Sequence, residues 1–149
     1  MRAEGRTVII AGGAIRDHLL GISFNDLDVF ILGISPEKAK ELFDADVSTY
    51  EGLLKAEHRH ETICYTDVDL VFSSYPTPQT VLDRFDLGIC KAAWDGSNFI
   101  IHEDFVTDAS RGIITPCGRI FAEHGNRIIK KLKPYGFRFL GTDRDLLSA

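Results

Sequence analysis

The chain has 149 residues, 44% of them hydrophobic and 26% charged, with a formal net charge of −5, proportions that suit one globular domain over 1–149 better than two. No apolar run approaches the roughly 18 residues that cross a membrane, and the run 8–11 lacks the length and cleavage pattern of a secretion signal; a cytoplasmic protein with no membrane partner is expected. Net acidity argues against a surface coated in basic residues for gripping nucleic-acid backbones, though not against a local basic groove.

Residues 7–11 (TVIIA) form a short apolar strand that stops at Gly12-Gly13. Residues 14–20 (AIRDHLL) read as a helix in which Ile15, Leu19 and His18 share the apolar face, Arg16 and Asp17 lie off it, and Gly21 ends it. A strand over 27–32 is entered through Asn25-Asp26. Residues 36–43 follow as a helix, with Ser35 as N-cap, Pro36 at its first position and Glu37 in its first turn. The β-branched and aromatic segment 61–72 is a long strand, 73–78 a turn-rich break and 80–85 a short helix. Strands over 88–93 and 98–102 are joined by a loop holding Asp95-Gly96, a hairpin signal. A last helix over 118–133 offers Ile120, Phe121, Ile128, Ile129 and Leu132 to the core. The order predicts an α+β fold, a mixed sheet with helices mainly on one face.

Chemistry concentrates in one pattern. A Gly-Gly turn is followed by the intervening stretch 14–25, then Asp26-Leu27-Asp28, then Val68-Asp69-Leu70. A glycine pair between strand and helix lets backbone N–H groups approach a phosphate with no Cβ in the way, and the helix start adds a favourable dipole. The period of two in a strand sets Asp26 and Asp28 on one face, Leu27 and Val29 on the other. Asp69 is again an acid within an apolar strand, and Asp67, on the same face, competes with it. Like charges at ~4 Å repel by about 4 kcal/mol at an effective dielectric near 20. Converging carboxylates therefore call for a divalent cation, and hard oxygen donors favour Mg²⁺ or Mn²⁺ over zinc.

The stretch Gly12-Gly13-Ala-Ile-Arg16-Asp17-His-Leu-Leu-Gly21-Ile-Ser-Phe-Asn-Asp26-Leu-Asp28 resembles the head-domain signature of tRNA CCA-adding enzymes and bacterial poly(A) polymerases. Those are nucleotidyltransferases of the DNA polymerase β type. Arg84-Phe-Asp86 and the residues after it, to Asp95-Gly96, are similar to the segment bearing that family's ribose-contacting Arg and Asp. Residues 127–137 are weakly similar to the helix that opens its neck. The resemblance implies that Asp26, Asp28 and Asp69 hold two metal ions, that Gly12 and Gly13 hold the triphosphate with Arg16 neutralising charge nearby, and that Arg84 and Asp86 lie near the sugar. It implies transfer of a nucleoside monophosphate from an NTP to a hydroxyl, with release of pyrophosphate. No counterpart of that family's Glu-Asp-x-x-Arg nucleotide-selecting helix stands out, since Asp143-Arg144-Asp145 is too small a fragment. The acceptor stays open among an RNA or tRNA end, a protein side chain, a second nucleotide and a small molecule.

Blander readings apply elsewhere. His58 and His60 have metal-ligand spacing but no third partner, and read as loop histidines. His18 reads as a packed core histidine, and Trp94 as a core aromatic at a hairpin end rather than a base-stacking platform. His102 and His124 carry no signal. Cys64, Cys90 and Cys117 are widely spaced without C-x-x-C and read as inert, reduced thiols. Arg127, Lys130, Lys131, Lys133 and Arg138 read first as a solvated face and second as a phosphate-contacting surface. The rivals to catalysis by NMP transfer are a non-catalytic nucleotide-binding regulator or toxin–antitoxin component, and a glycosyltransferase holding a nucleotide-sugar through Asp26 and Asp28.

Overall fold

A computed structural model of the chain describes residues 2–3, 5–24, 26–35, 37–38, 41, 48–50, 53–58, 67–118 and 120–147. Strands β1 (Arg2–Ala3), β2 (Arg6–Ala11), β3 (Asp26–Ile31), β4 (Ser48–Tyr50), β5 (Leu53–His58), β6 (Asp67–Ser73), β7 (Ala92–Trp94) and β8 (Phe99–Ile101) build one sheet. Its order is β4-β5-β6-β3-β2-β7-β8, with β1 paired to β2 beside that path. The β3–β6 pair is parallel and the other neighbours are antiparallel, so the sheet is mixed, as the element order predicts. The helices are α1 (Gly13–Leu19), α2 (Pro78–Asp83), α3 (Glu103–Arg111) and α4 (Ala122–Leu132). Two short parallel ladders close the C-terminal part, β9 (Ile113–Ile114) with β11 (Arg138–Phe139) and β10 (Ile120–Phe121) with β12 (Leu146–Leu147). Among the described residues no helix is long and apolar enough to cross a membrane.

Alternation along the central strands divides the core into two layers. Ile9 and Ala11 of β2, Phe30 of β3, Val71 of β6 and Ala93 of β7 pack on one side with Val81 and Leu82 of α2. Ile10 and Ala92 face the other side, where Ile15 of α1, Phe105 of α3 and Ile128 and Leu132 of α4 gather. Among the described residues, α1, α3 and α4 thus pack on one face and α2 on the other. Ladder partners share a face, so Asp28, opposite Ala11, lies on the α2 side.

Several local expectations shift. The strand expected over 88–93 is a 3-10 turn, Gly88–Cys90, followed by β7. Its turn is held by Cys90 N and Lys91 N donating to Leu87 O and Gly88 O. The last helix starts at Ala122, because Ile120 and Phe121 are drawn into pairing with Leu146 and Leu147. The helix α3 has no counterpart in the sequence reading. Its apolar stripe is short, Phe105 and Ala109 with the buried Asp108 beside them, a weaker signal than the stripe by which a helix is usually recognised. Its N-cap is His102, whose Nδ1 accepts from Asp104 N at 3.0 Å while Nε2 meets Asp83 at 2.8 Å. Most of the helix expected over 36–43 lies outside the described residues, but Ser35 Oγ accepts from Lys38 N, the bond of the expected cap. All of 59–66, including His60 and Cys64, also lie outside them, while His58, expected in a loop, closes β5.

Ile9 is fully buried at the centre of the sheet, and Ile9→Ala is expected to cost about 2–5 kcal/mol, mostly as an unrelaxed cavity; urea denaturation measures it. The Lys91 hydrogen bond holds the Asp104 carboxyl below the usual carboxylate range. A depressed folded-state pKa stabilises the fold above the unfolded value near 4 and loses that contribution as pH falls through the folded one. Asp104→Asn should therefore flatten the acid limb of a stability–pH curve; an unchanged limb between about pH 4 and 2 removes Asp104 from the account.

Candidate active site

The β3 and β6 strands both begin in Asp-x-Asp, and the parallel ladder aligns them without offset. Asp26 pairs with Asp67, and Asp28 pairs with Asp69. Adjacent strands stand about 4.8 Å apart and ladder partners share a face, so the acid of one strand is set beside the acid of the next. The row through Asp28 continues by backbone register to Ala11 on one side and Glu57 on the other. Asp28 and Asp69 are half-buried while Asp26 is exposed. The side chains of Asp67 and Glu57 lie outside the described residues. Among the described residues, no group of three or more His, Cys, Asp or Glu side chains is gathered closely enough to hold a metal ion by itself.

Next to this row β2 ends in Gly12, whose φ of 82° favours glycine. A methyl group added there would stand 3.8 Å from Asp28 Oδ2, and one added at Gly13 would stand 3.4 Å from Arg16 Nη2. The turn thus lies between the Asp28 carboxylate and the Arg16 guanidinium. Gly12, Gly13, Asp26 and Asp28 all line a cavity of about 330 Å³, within the lower range of small-molecule sites. Asp86 lines it as well, half-buried, with His124 Nε2 at 3.4 Å from its Oδ1. Asp69 is not among the lining residues; it stands behind Asp28 in the row. Arg84 points elsewhere, its guanidinium carbon 5.3 Å from the centre of the Tyr75 ring.

On α1, Ile15 and Leu19 face the core as expected, but His18, Arg16 and Asp17 depart from the sequence reading. His18 is exposed and stacks against Phe99 at 5.8 Å, while Arg16 and Asp17 are 2% and 1% exposed. Burial of charge is tolerated because it is compensated. Arg16 Nε donates to Asp17 Oδ1 at 2.8 Å, Lys131 Nζ of α4 donates to Asp17 Oδ2, and Arg16 Nη1 donates to Cys90 Sγ at 3.4 Å. Burial pushes the Cys90 thiol up, with the Arg16 charge opposing. Trp94 packs against the larger core layer and Phe99, as a core aromatic.

Several lining residues were not assigned to the site from sequence, among them Phe24, Phe85 and one stripe of α4. His124, Arg127 and Lys131 line the cavity together with the buried Ile128, and Arg127 Nη2 lies 3.3 Å from His124 Nδ1. The positions 124, 127, 128 and 131 form one stripe of a helix. The basic run is thereby split: Arg127 and Lys131 look into the cavity, while Lys130 and Lys133 are exposed and do not line it. A signal was present, since Glu123-His124-Gly125-Asn126-Arg127 keeps the spacing of Glu-Asp-x-x-Arg with histidine at the second position.

A family described as Gad2, Gabija anti-defense 2 family protein, matches residues 2–112. The chain belongs to that family. No curated protein matches it. Among solved structures, this Gad2 chain is similar to an apo CCA-adding enzyme, with a TM-score of 0.63 and 23% identity over 94% of this chain and 37% of that one. It is similar to a CCA-adding enzyme in complex with CTP, with a TM-score of 0.61 and 22% identity over 92% of this chain and 37% of that one. The Thermotoga maritima CCA-adding enzyme complexed with tRNA gives a TM-score of 0.62 and 23% identity over 93% of this chain and 36% of that one. The Gad2 chain therefore has the polymerase β-type nucleotidyltransferase fold expected of it, and spans little more than a third of the chains it resembles.

Asp17→Ala would leave the Arg16 charge buried without its carboxylate, at an expected cost of about 3–5 kcal/mol. Chemical denaturation gives the value directly. A loss under about 1 kcal/mol, the scale of an exposed pair, would show that water reaches Arg16.

Proposed function

We propose that this protein transfers a nucleoside monophosphate from an NTP to a hydroxyl acceptor, releasing pyrophosphate, and that the activity is directed against Gabija defence. The observation that carries the reading is the ladder partnership of Asp28 with Asp69 beside the Gly12-Gly13 turn, at the wall of a cavity lined on its other side by cations. The fold shared with CCA-adding enzymes supports the reaction class, and the family description supports its purpose. Such a reaction would take place in the cytoplasm, where NTPs are abundant.

The donor chemistry fits a hard cation. Magnesium keeps several waters and is commonly bound by one or two carboxylates together with substrate phosphates, so a preformed cage of three side chains is not required. Asp26, Asp28 and Asp69 would hold Mg²⁺ or Mn²⁺, which when bound would neutralise phosphate charge and lower the pKa of the attacking hydroxyl. The Gly12 and Gly13 backbones admit a phosphate where any larger residue would intrude. Asp86 and its neighbour His124 offer polar atoms to the sugar or base. The ring of Phe24 and the side chains of Phe30, Phe85 and Ile128 supply the apolar part of the lining. A role for Arg84 at the sugar requires it to leave the Tyr75 ring. The acceptor oxygen would then bond to the α-phosphorus as the bond from that phosphorus to the α,β-bridging oxygen breaks, pyrophosphate leaving with the electron pair and the acceptor's proton passing to solvent. Two acceptor classes follow from the comparisons: an RNA end, by analogy with the tRNA-bound enzyme, and a component of the Gabija system.

A second reading is a nucleotide binder without catalysis, supported by a cavity whose lining by Gly12, Gly13, Arg127 and Lys131 suits phosphate without requiring turnover. Incubation with labelled NTPs, Mg²⁺, RNA and Gabija proteins separates the two. Label should move to an acceptor with the native chain and fall to background with Asp28→Ala and with Asp69→Ala, while Asp67→Ala retains most transfer. Transfer surviving Asp28→Ala ends the proposal, and tight NTP binding without transfer to any acceptor leaves the second reading.

A further inference from the structure

Where α1 meets α4, three charged groups stand together at the cavity wall. The Asp17 carboxylate, 1% exposed, accepts from Arg16 through one oxygen and from Lys131 through the other. Two cations share that one anion, so Asp17 alone does not neutralise both, and the carboxylates Asp26, Asp28 and Asp86 line the same cavity.

The two cations are not equivalent. The Arg16 side chain is 3% exposed and donates to Asp17 and Cys90. The Lys131 side chain is 39% exposed and lines the cavity. An ammonium has three N–H donors; with one engaged by Asp17, two can serve a ligand. Arg16 and Arg127 line the cavity as well, but Arg16 is nearly buried and engaged by Asp17 and Cys90, so of the two cations on Asp17 it is Lys131 that is the more openly presented.

We infer that Lys131 is a polyphosphate-binding residue of this cavity, with Asp17 as the positioning residue that aims it. Lysine suits phosphate as a point charge. The opposite wall narrows the ligand class. Asp26 and Asp28 would repel a simple anion, whereas a polyphosphate carrying a divalent cation offers charge of each sign to the matching wall. On the nucleotidyltransferase reading, from which the ligand's identity is taken, that ligand is the triphosphate tail of the NTP.

Calorimetry tests this on the native chain, Lys131→Met and Lys131→Arg, against each NTP with Mg²⁺, inorganic tripolyphosphate with Mg²⁺, and the matching nucleosides. Loss of a charge-assisted hydrogen bond should weaken NTP and tripolyphosphate binding about tenfold or more in Lys131→Met, leave nucleoside binding unchanged, and be largely restored in Lys131→Arg. A purely structural lysine would change all three ligands alike. Equal polyphosphate affinity in the native chain and Lys131→Met overturns the inference, as does failure of the native chain to bind either polyphosphate. Lys131-dependent binding of tripolyphosphate with no binding of any NTP upholds the inference and ends the nucleotidyltransferase reading instead.

Discussion

The parallel, unstaggered pairing of β3 with β6 is the constraint on which the site depends. Two strands that each open with Asp-x-Asp are set side by side, so that like charges form successive rungs. Repulsion of this kind amounts to about 4 kcal/mol per close pair at an effective dielectric near 20. The apolar rungs beyond it, Val29 with Leu70, Phe30 with Val71 and Ile31 with Phe72, bury enough surface to hold the register, since a slip by one residue would turn Phe30 and Val71 away from the core layer they fill. The carboxylates are thus placed by the packing of their neighbours. Local departure from ideal electrostatics inside an otherwise consistent element is the usual mark of a functional position.

The cavity divides its charges between elements. The acids come from the start of β3, with Asp86 from the segment before the 3-10 turn. The cations come from α1 and from one stripe of α4. The contact between those helices is the Asp17 carboxylate, which ties the last helix of the chain to the first. The position of α4 therefore controls the cationic wall, and that helix lies beyond the residues matched to the Gad2 family. The resemblance to CCA-adding enzymes is one of fold over a limited part of their length.

Legibility in the sequence followed the strength of the local signal. Strand β2 and strand β3 announced themselves by apolar runs and the glycine turn, and the acids of Asp26-Leu-Asp28 and Asp69 stood out against those runs. Helix α3 did not, because its buried positions include Asp108, which accepts from Thr115 N and Oγ1 and so looks polar in sequence while behaving as core. On α1 the burial of Arg16 and Asp17 was missed for the same reason, although Ile15 and Leu19 lie in the core as expected. Arg16 and Asp17 are buried because they neutralise one another and meet Lys131, a partner 114 positions further along the chain.

The order of residues by itself determined strands β2 and β3, the glycine turn that follows β2 and the mixed α+β class, since each rests on periodicity or steric freedom within a few neighbouring residues. Only the tertiary structure decided which acids stand beside one another, which cations are walled in and which are presented, and that α4 belongs to the site. Those outcomes depend on strand register and on helix contacts between distant segments, and the energy of a buried charge is set by partners that no local pattern identifies.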